Sequence, residues 1–300
     1  MKAVCVGHAT FDTTLPINGY PKENIKYRIK EKIECGGGPA SNAAYLLSKW
    51  GINTTFVGIV GNDYYGEKVI EEFKNIGVDT TYIEKNDECN TDSSYIISNL
   101  KNGSRTIITA KESLPLSIKK NVDVNDFDIL LVDGEHYETA KKVILNNPNA
   151  ISILDAGRVN EYTKELGKMV TYVICSKDFA EIFTNQTIDY NDKESLISIY
   201  EYLKIYFKTN VIITLEDKGC FTKIDDYKII PSIKVKPIDS TGAGDIFHGA
   251  FAYFISNGYA LEESIELASI TAALSTEVIG SRFAIPELEK VLNRYNDDII

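Results

Sequence analysis

The sequence predicts an α/β fold, one domain built on a mostly parallel sheet covered on both faces by helices. Three observations lead there. Short apolar runs recur along the chain: AVCVG (3–7), TFVGIVG (55–61), DILLVD (128–133), AISILD (150–155), TYVICS (171–176) and NVIITLE (210–216). Stretches of helical period separate them, and such alternation means βαβ units. The 300 residues are 44% hydrophobic, enough for one large core, and no repeat, low-complexity tract or linker divides them.

Taken in order, the helices justify themselves by period and by their stops. Pro39 to Trp50 is closed by Gly51, and Tyr64 to Ile76 by Gly77. His136 to Asn147 and Lys193 to Phe207 follow. Beyond Asp245, the residues Ile246, Phe247, Ala250, Phe251, Phe254 and Ile255 repeat with helical spacing up to Gly258. Two regions break the rhythm. Residues 10–34 are polar and extended and contain Pro16 and Pro21; residues 91–109 read as a hairpin turning at Asn102-Gly103. Both are expected as excursions that cover a site, so residues 1–300 form one domain with a small lid.

A net charge of −11 argues against sequence-independent binding to nucleic acid or an anionic membrane, since both need a basic surface. Five scattered cysteines without a CxxC pair indicate neither a disulfide framework nor a zinc site. His8, His136 and His248 have no metal-ligand spacing. The start, MKAVCVGHATFD, is too short an apolar run for a signal peptide, and no run approaches about 18 apolar residues. A soluble, reduced, cytoplasmic protein is expected.

Two glycine clusters carry the chemistry. In DSTGAGDIFHG (239–249), Gly242, Ala243 and Gly244 precede the helix that begins near Asp245. Free N–H groups and the helix dipole there favour an anion beside a carboxylate, although an ordinary turn with an acidic first helical turn would look the same. Asp239 and Asp245 are the candidate acid/base pair. In ECGGGPASNAA (34–44), Gly36, Gly37 and Gly38 lead into Pro39, and Asn42 lies one turn in, suiting a polyhydroxy ligand. GNDYYGEKV (61–69) is not a P-loop, because Glu67 stands where Lys is needed and Val69 where Ser or Thr would be. Neither cluster has the spacing of a dinucleotide-binding fingerprint.

The wording GGGPASNAA followed by DSTGAGDIFHGAF resembles the two signatures of the ribokinase-like (PfkB) carbohydrate kinases. VGHATFDTTL at the start and AALSTEVIGSRFAIP (272–286) extend the likeness over nearly the whole chain, and its wording is nearest to the ketohexokinase and sulfofructose kinase branch. The resemblance implies a three-layer α/β/α core with a β-lid, and transfer of the γ-phosphate of ATP to a sugar hydroxyl with Mg²⁺ as a cofactor. It implies Asp245 as the base, and Gly242, Ala243 and Gly244 as the anion hole. Asp12, Gly37, Gly38 and Asn42 would hold the sugar. Thr214, Gly219, Thr241, Gly242 and Gly244 would contact ATP. Asp239 would help hold a monovalent cation such as K⁺, with the loop 278–286 completing that site. A homodimer formed through the lid is the expected assembly.

The chain departs from the family pattern at CSKDFAEIF (175–183). Ser176 and Phe179 stand where many members carry the N-x-x-E residues that organise magnesium, leaving Asp178 or Glu181 as substitutes. Glu135, after ILLVD, disfavours a sulfonated sugar, and Arg158 is either a phosphate contact or a surface residue. The alternatives are a nucleoside kinase, kept open by Tyr20 and Tyr95, a non-catalytic sugar sensor, against which the intact Gly242–Asp245 motif speaks, and a dinucleotide-binding dehydrogenase, which lacks its fingerprint.

Overall fold

In the computed structural model, which describes residues 1–111 and 117–299, the chain opens with β1 (Lys2–Val6) and crosses into β2 (Thr10–Ile17) and β3 (Ile33–Gly37). It returns through α1 (Pro39–Lys49), β4 (Asn53–Gly61), α2 (Tyr64–Ile76) and β5 (Asp79–Asn86). A hairpin of β6 (Ser93–Asn99) and β7 (Arg105–Ala110) precedes β8 (Ile129–Val132), α3 (Tyr137–Asn146), β9 (Ile151–Ala156), α4 (Glu161–Leu166) and β10 (Tyr172–Ser176). Then come α5 (Lys177–Thr184), α6 (Lys193–Phe207), β11 (Asn210–Thr214), β12 (Cys220–Lys223) and β13 (Tyr227–Ile230). The last elements are α7 (Ala243–Ser256), α8 (Leu261–Ser275) and α9 (Leu288–Ile299).

Nine strands make one sheet in the order β13-β12-β11-β10-β9-β8-β1-β4-β5. All neighbours are parallel except β11–β12 and β12–β13. The strands are apolar on both sides because both sides are covered. Ala3 and Cys5 of β1, with Ile153 of β9 and Ile212 of β11, join the core under α1, α2, α7 and α8. Val4 and Val6, with Leu154, Val211 and Ile213, join the core under α3, α5 and α6. The period of two along each strand thus feeds two cores and produces three layers.

Sequence patterning misses β5, β12, β13, α4, α5, α8 and α9: α4, α5, β12 and β13 are short, β5 and α9 are half-polar, and α8 is buried round too much of its surface to show one apolar stripe. The expected strand at 210–216 ends at Thr214 and tightens into a 3₁₀ turn, Glu216–Lys218. The P-loop look-alike is the capped start of α2, where Asp63 accepts a hydrogen bond from Gly66 N at 2.8 Å. Segments 10–34 and 91–109 contribute to a separate sheet in the order β3-β2-β6-β7. Its hairpin turns where expected: Asn102 and Gly103 both donate to Asn99 O, at 3.2 and 2.9 Å. Residues 18–32 form no strand; they are a mostly exposed irregular stretch between β2 and β3, with bends at 18–19 and 30 and a turn at 23–24.

Helices α1 and α7 cross on one face of the large sheet at their smallest residues. A Cβ built on Gly249 would stand 3.1 Å from Ala43 Cα and 3.4 Å from its carbonyl oxygen. Trp50 and Tyr253 meet edge-to-face farther along, with centroids 5.1 Å apart. Gly249→Val should therefore separate the helices and cost about 1–3 kcal/mol of stability, the usual range for overpacking. The check is thermal unfolding beside turnover, because the same separation disturbs the residues at the helix ends.

Candidate active site

Seven parallel strands end on one side of the sheet, where ligands bind in open α/β folds. Asp133 follows β8, and its carboxylate accepts from His8 N at 2.8 Å, Ala40 N at 3.2 Å and Glu135 N at 3.1 Å. One acid thereby ties the end of β1 to the start of α1. The crossing of α1 and α7 then places Asn42 against Asp245. Asn42 Nδ2 donates to Asp245 Oδ2 at 2.7 Å across 203 residues of sequence. Asn42 Oδ1 is buried and has no hydrogen-bond partner. A buried acceptor without a donor is costly, and a ligand hydroxyl is the natural remedy.

The anion-site candidates stand together at the start of α7. Gly242 caps the helix with φ +73°, a conformation suited to glycine, and a Cβ there would lie 2.6 Å from Ser281 Cβ. Ala243 begins the helix, and nothing lies within 4 Å of the position a Gly244 Cβ would take, so the backbone is open to a ligand. Across the site, Asp12 on β2 is 7% exposed and accepts from Thr10 Oγ1 at 2.9 Å. Burial raises its pKa, while hydrogen bonds from Thr10 and Ser94 and the charge of Arg282 act the other way. A Cβ on Gly37 would collide with the Asp12 carboxylate, and Gly38 starts α1 at φ +96°.

Asp239 does not face Asp245's partners. It is 2% exposed and accepts from Thr241 N at 3.0 Å, Thr241 Oγ1 at 2.6 Å and Gly280 N at 2.9 Å. The Thr241 hydroxyl is thus engaged by Asp239. The loop held through Gly280 carries Arg282, which is 3% exposed. That guanidinium donates to Glu72 Oε2 at 2.7 Å and Ser41 Oγ at 2.6 Å, and lies 4.6 Å from the Phe73 ring centroid. Thr214 and Gly219 lie on the β11 side, two strands from β9; Thr214 Oγ1 donates to Cys175 O at 3.3 Å. Ser176 caps α5 by accepting from Phe179 N at 3.1 Å, Glu181 accepts from Ile188 N at 2.8 Å, and Asp178 and Arg158 are exposed. Among the described residues, no group of three or more His, Cys, Asp or Glu side chains could hold a metal ion.

Sequence reasoning missed three neighbours of Asp245. Asp155, at the end of β9, is 7% exposed, and its pKa is raised to about 8, by burial first and then by Asp133. Burial and the nearby Asp155 raise the Asp245 pKa to about 7, against the Asn42 hydrogen bond and the charges of His248 and Arg105. His248 lies one turn beyond Asp245 in α7. Arg105 comes from the small sheet and donates to Ser240 Oγ at 2.8 Å. The same hairpin docks through Ser240 N to Gly103 O at 3.1 Å and Ser98 Oγ to Ile238 O at 2.9 Å. Asp155 was findable as an acid closing an apolar strand; Arg105 gave no signal beyond lying next to a turn.

The comparisons with known proteins agree in kind. A family model described as pfkB family carbohydrate kinase matches residues 1–288. A nucleoside kinase of Methanocaldococcus jannaschii is 28% identical over 302 residues, covering 98% of this chain and 96% of its own. The crystal structure of a ribokinase from Thermotoga maritima is 26% identical, superposes with a TM-score of 0.78, and covers 98% of this chain and 99% of its own. The structure of Arabidopsis thaliana ribokinase complexed with ribose and ATP, 23% identical, superposes with a TM-score of 0.77 over 97% of each chain. With its motifs, its three layers and a family model spanning nearly all of its length, this chain belongs to the pfkB family of carbohydrate kinases.

Proposed function

We propose that the protein transfers the γ-phosphate of ATP to a hydroxyl of a small, uncharged sugar of the ketohexose or pentose type, with Asp245 taking the hydroxyl proton. Family membership makes it a sugar or nucleoside kinase; the acceptor, the donor and the residue roles are our reading. The observation that carries it is the buried, partnerless Asn42 Oδ1 beside the Asp245 carboxylate. A hydroxyl there would be held by the amide oxygen and face the base. Asp12, with the backbone at Gly37 and Gly38, would grip other hydroxyls. The N–H groups of Gly242, Ala243 and Gly244 would take the developing charge of the phosphoryl group, which is most of what phosphoryl transfer asks of a protein.

The ATP assignment draws on the Arabidopsis ribokinase complex, which holds ATP and ribose. On this chain, Thr214, Gly219, Thr241, Gly242 and Gly244 would meet the nucleotide, and Arg105 would lie over its phosphates. An uncharged acceptor follows from the cations on the acceptor side being engaged already: Lys111 by Glu135 and Arg282 by Glu72. Magnesium is the expected companion of ATP. Asp178 and Glu181 do not fit a direct cage for it, since Glu181 serves Ile188 and Asp178 is exposed, and no other group of acids among the described residues would form one, so no step here is assigned to the metal.

A nucleoside acceptor is the second reading. A cleft of about 560 Å³ next to Asp92 is lined by Tyr64, Tyr65, Asn90 and Thr91 and would admit a base. A panel of free sugars and nucleosides with ATP decides between the two. On the best acceptor, Asp245→Asn should cut turnover by about 10²–10⁴-fold, the usual worth of general-base help, with acceptor affinity little changed. A folded variant with near-normal turnover would sink the assignment of Asp245.

Asp239 and the loop 278–286 lie in contact, which supports a monovalent-cation role there. Potassium should raise the rate by ordering the anion hole, and Asp239→Asn should weaken that dependence. Equal rates in potassium and in a bulky organic cation would dispose of it.

The small sheet would act as a lid. Its outer strand exposes Ile107 at 47% and Ile108 at 59%, and Tyr95 on the adjacent strand is 50% exposed. Exposed apolar surface of this kind favours a second copy as cover. A dimer is expected by sedimentation at micromolar concentration, and Ile108→Lys should shift it to monomer; a parent protein that stays monomeric rules the dimer out.

A further inference from the structure

The buried guanidinium of Arg282 is wrapped around one residue of the first glycine motif, Gly36. Nη1 donates to Glu72 Oε2 at 2.7 Å and Nη2 to Ser41 Oγ at 2.6 Å. Glu72 in turn accepts from Gly36 N, at 3.0 Å through Oε2 and 3.2 Å through Oε1. The guanidinium also lies against Gly36 directly, since a Cβ there would collide with Cζ and both terminal nitrogens. Its remaining neighbours are the rings of Phe73 and Tyr45, with centroids at 4.6 and 5.1 Å. Beside it, Ser281 Oγ lies 3.5 Å from Gly36 O and 3.6 Å from Cys35 Sγ. Gly36 is thus held at its N–H, its Cα and its carbonyl by α2 and by the loop 278–286.

This hold is costly. Arg282 Nε is buried and has no hydrogen-bond partner, and taking a guanidinium out of water carries a penalty that its carboxylate at best offsets. Apolar side chains of similar size would fill the same space without that penalty, so stability alone does not explain the arginine. Position does. In the ladder of β3 with β2, Gly36 pairs with Phe11 and Cys35 with Asp12, and a Cβ on the next residue, Gly37, would meet the Asp12 carboxylate. A shift of Gly36 therefore moves Gly37, Gly38 and Asp12 together. The charge of Arg282 also favours the ionised form of Asp12, against the burial that disfavours it. We propose that Arg282, with Glu72, is a positioning residue that seats Gly36 and so sets the affinity of the site for its acceptor without touching the acceptor. The inference rests on the reading of Asp12, Gly37 and Gly38 as the acceptor's grip. Its effect is selective. Thr214 and Gly219 lie on the β11 side of the sheet, and the Gly280 N bond to Asp239 keeps the anion hole anchored when Arg282 is changed.

Steady-state kinetics with ATP, and with whichever of ribose, fructose and adenosine turns over fastest, test this. Arg282→Met keeps a stem against the two rings and removes the donors and the charge. The KM for the acceptor should rise about tenfold, while the KM for ATP stays within about twofold and kcat within about threefold. Arg282→Lys keeps the charge but not the fork, so it should recover part of the loss. Gly36→Ala displaces the guanidinium from the same spot and should raise the acceptor KM by a similar factor. The double variant Gly36→Ala/Arg282→Met should be no worse than the worse single one, because one contact is lost in each. Melting temperatures show which variants fold; if Arg282→Met does not, Arg282→Lys and Gly36→Ala must show the same split. Equal rises in both KM values, a loss confined to kcat, or a lowered melting temperature with the acceptor KM unchanged would overturn the proposal. Asp12→Asn separates the two readings. An unchanged acceptor KM in that variant contradicts the acceptor's grip and this inference with it. A raised one, beside Arg282 variants that bind the acceptor normally, contradicts this inference alone.

Discussion

The close contact of α1 and α7 at Ala43 and Gly249 is what the site depends on. The two signature motifs lie some 200 residues apart, and neither is a site alone. The first brings an amide and open backbone; the second brings an acid and a helix terminus. They meet because two helices share one face of the sheet with almost no side chain between them at one level. Asp133 fixes the start of α1 to the strand ends, and the loop carrying Arg282 fixes the start of α7 to α1 and α2. The Asn42–Asp245 hydrogen bond is thus held by backbone geometry on both sides, which is how a scaffold keeps reacting groups within a fraction of an ångström.

The site is built against local stability. Asp133, Asp155 and Asp245 converge at the strand ends, and two of them titrate well above the usual carboxylate range. Groups whose folded pKa is raised bind protons more tightly in the native state. Their contribution to stability is full below the unfolded value near 4 and is lost as pH rises through about 7 to 8. The arrangement therefore weakens the fold at the pH where Asp245 ionises. Buried Arg282, paired with Glu72 and packed on Phe73, anchors the loop 278–286 on the α2 side.

The fold class was legible because strands buried on both faces are uninterrupted apolar runs and because glycine stops the early helices. The strands β12 and β13 at one end of the sheet were not, since antiparallel strands of four residues are too short to show a period. In the site, Asp245, Asn42 and the glycines could be found because their reasons are local: a helix start, an exposed backbone. Asp155, His248 and Arg105 act through contacts across the sheet, and composition says nothing about which strand end lies beside which helix. Asp239 shows the intermediate case. Its pairing with Thr241 is two residues long and readable, whereas its hold on the loop at Gly280 spans 41 residues and is legible only through the family resemblance.

The docked hairpin of the small sheet has a consequence for how the family can diversify. Ser98, Gly103 and Arg105 grip residues 238–240, while Asp12 reaches the acceptor side from the same sheet. One sheet therefore carries contacts to both ends of the site. A change in the hairpin that accommodates a new acceptor also shifts the segment feeding the first turn of α7. New substrate preferences arising by mutation of this sheet would then come with altered turnover, and compensating changes would be expected in 236–241 or in α7.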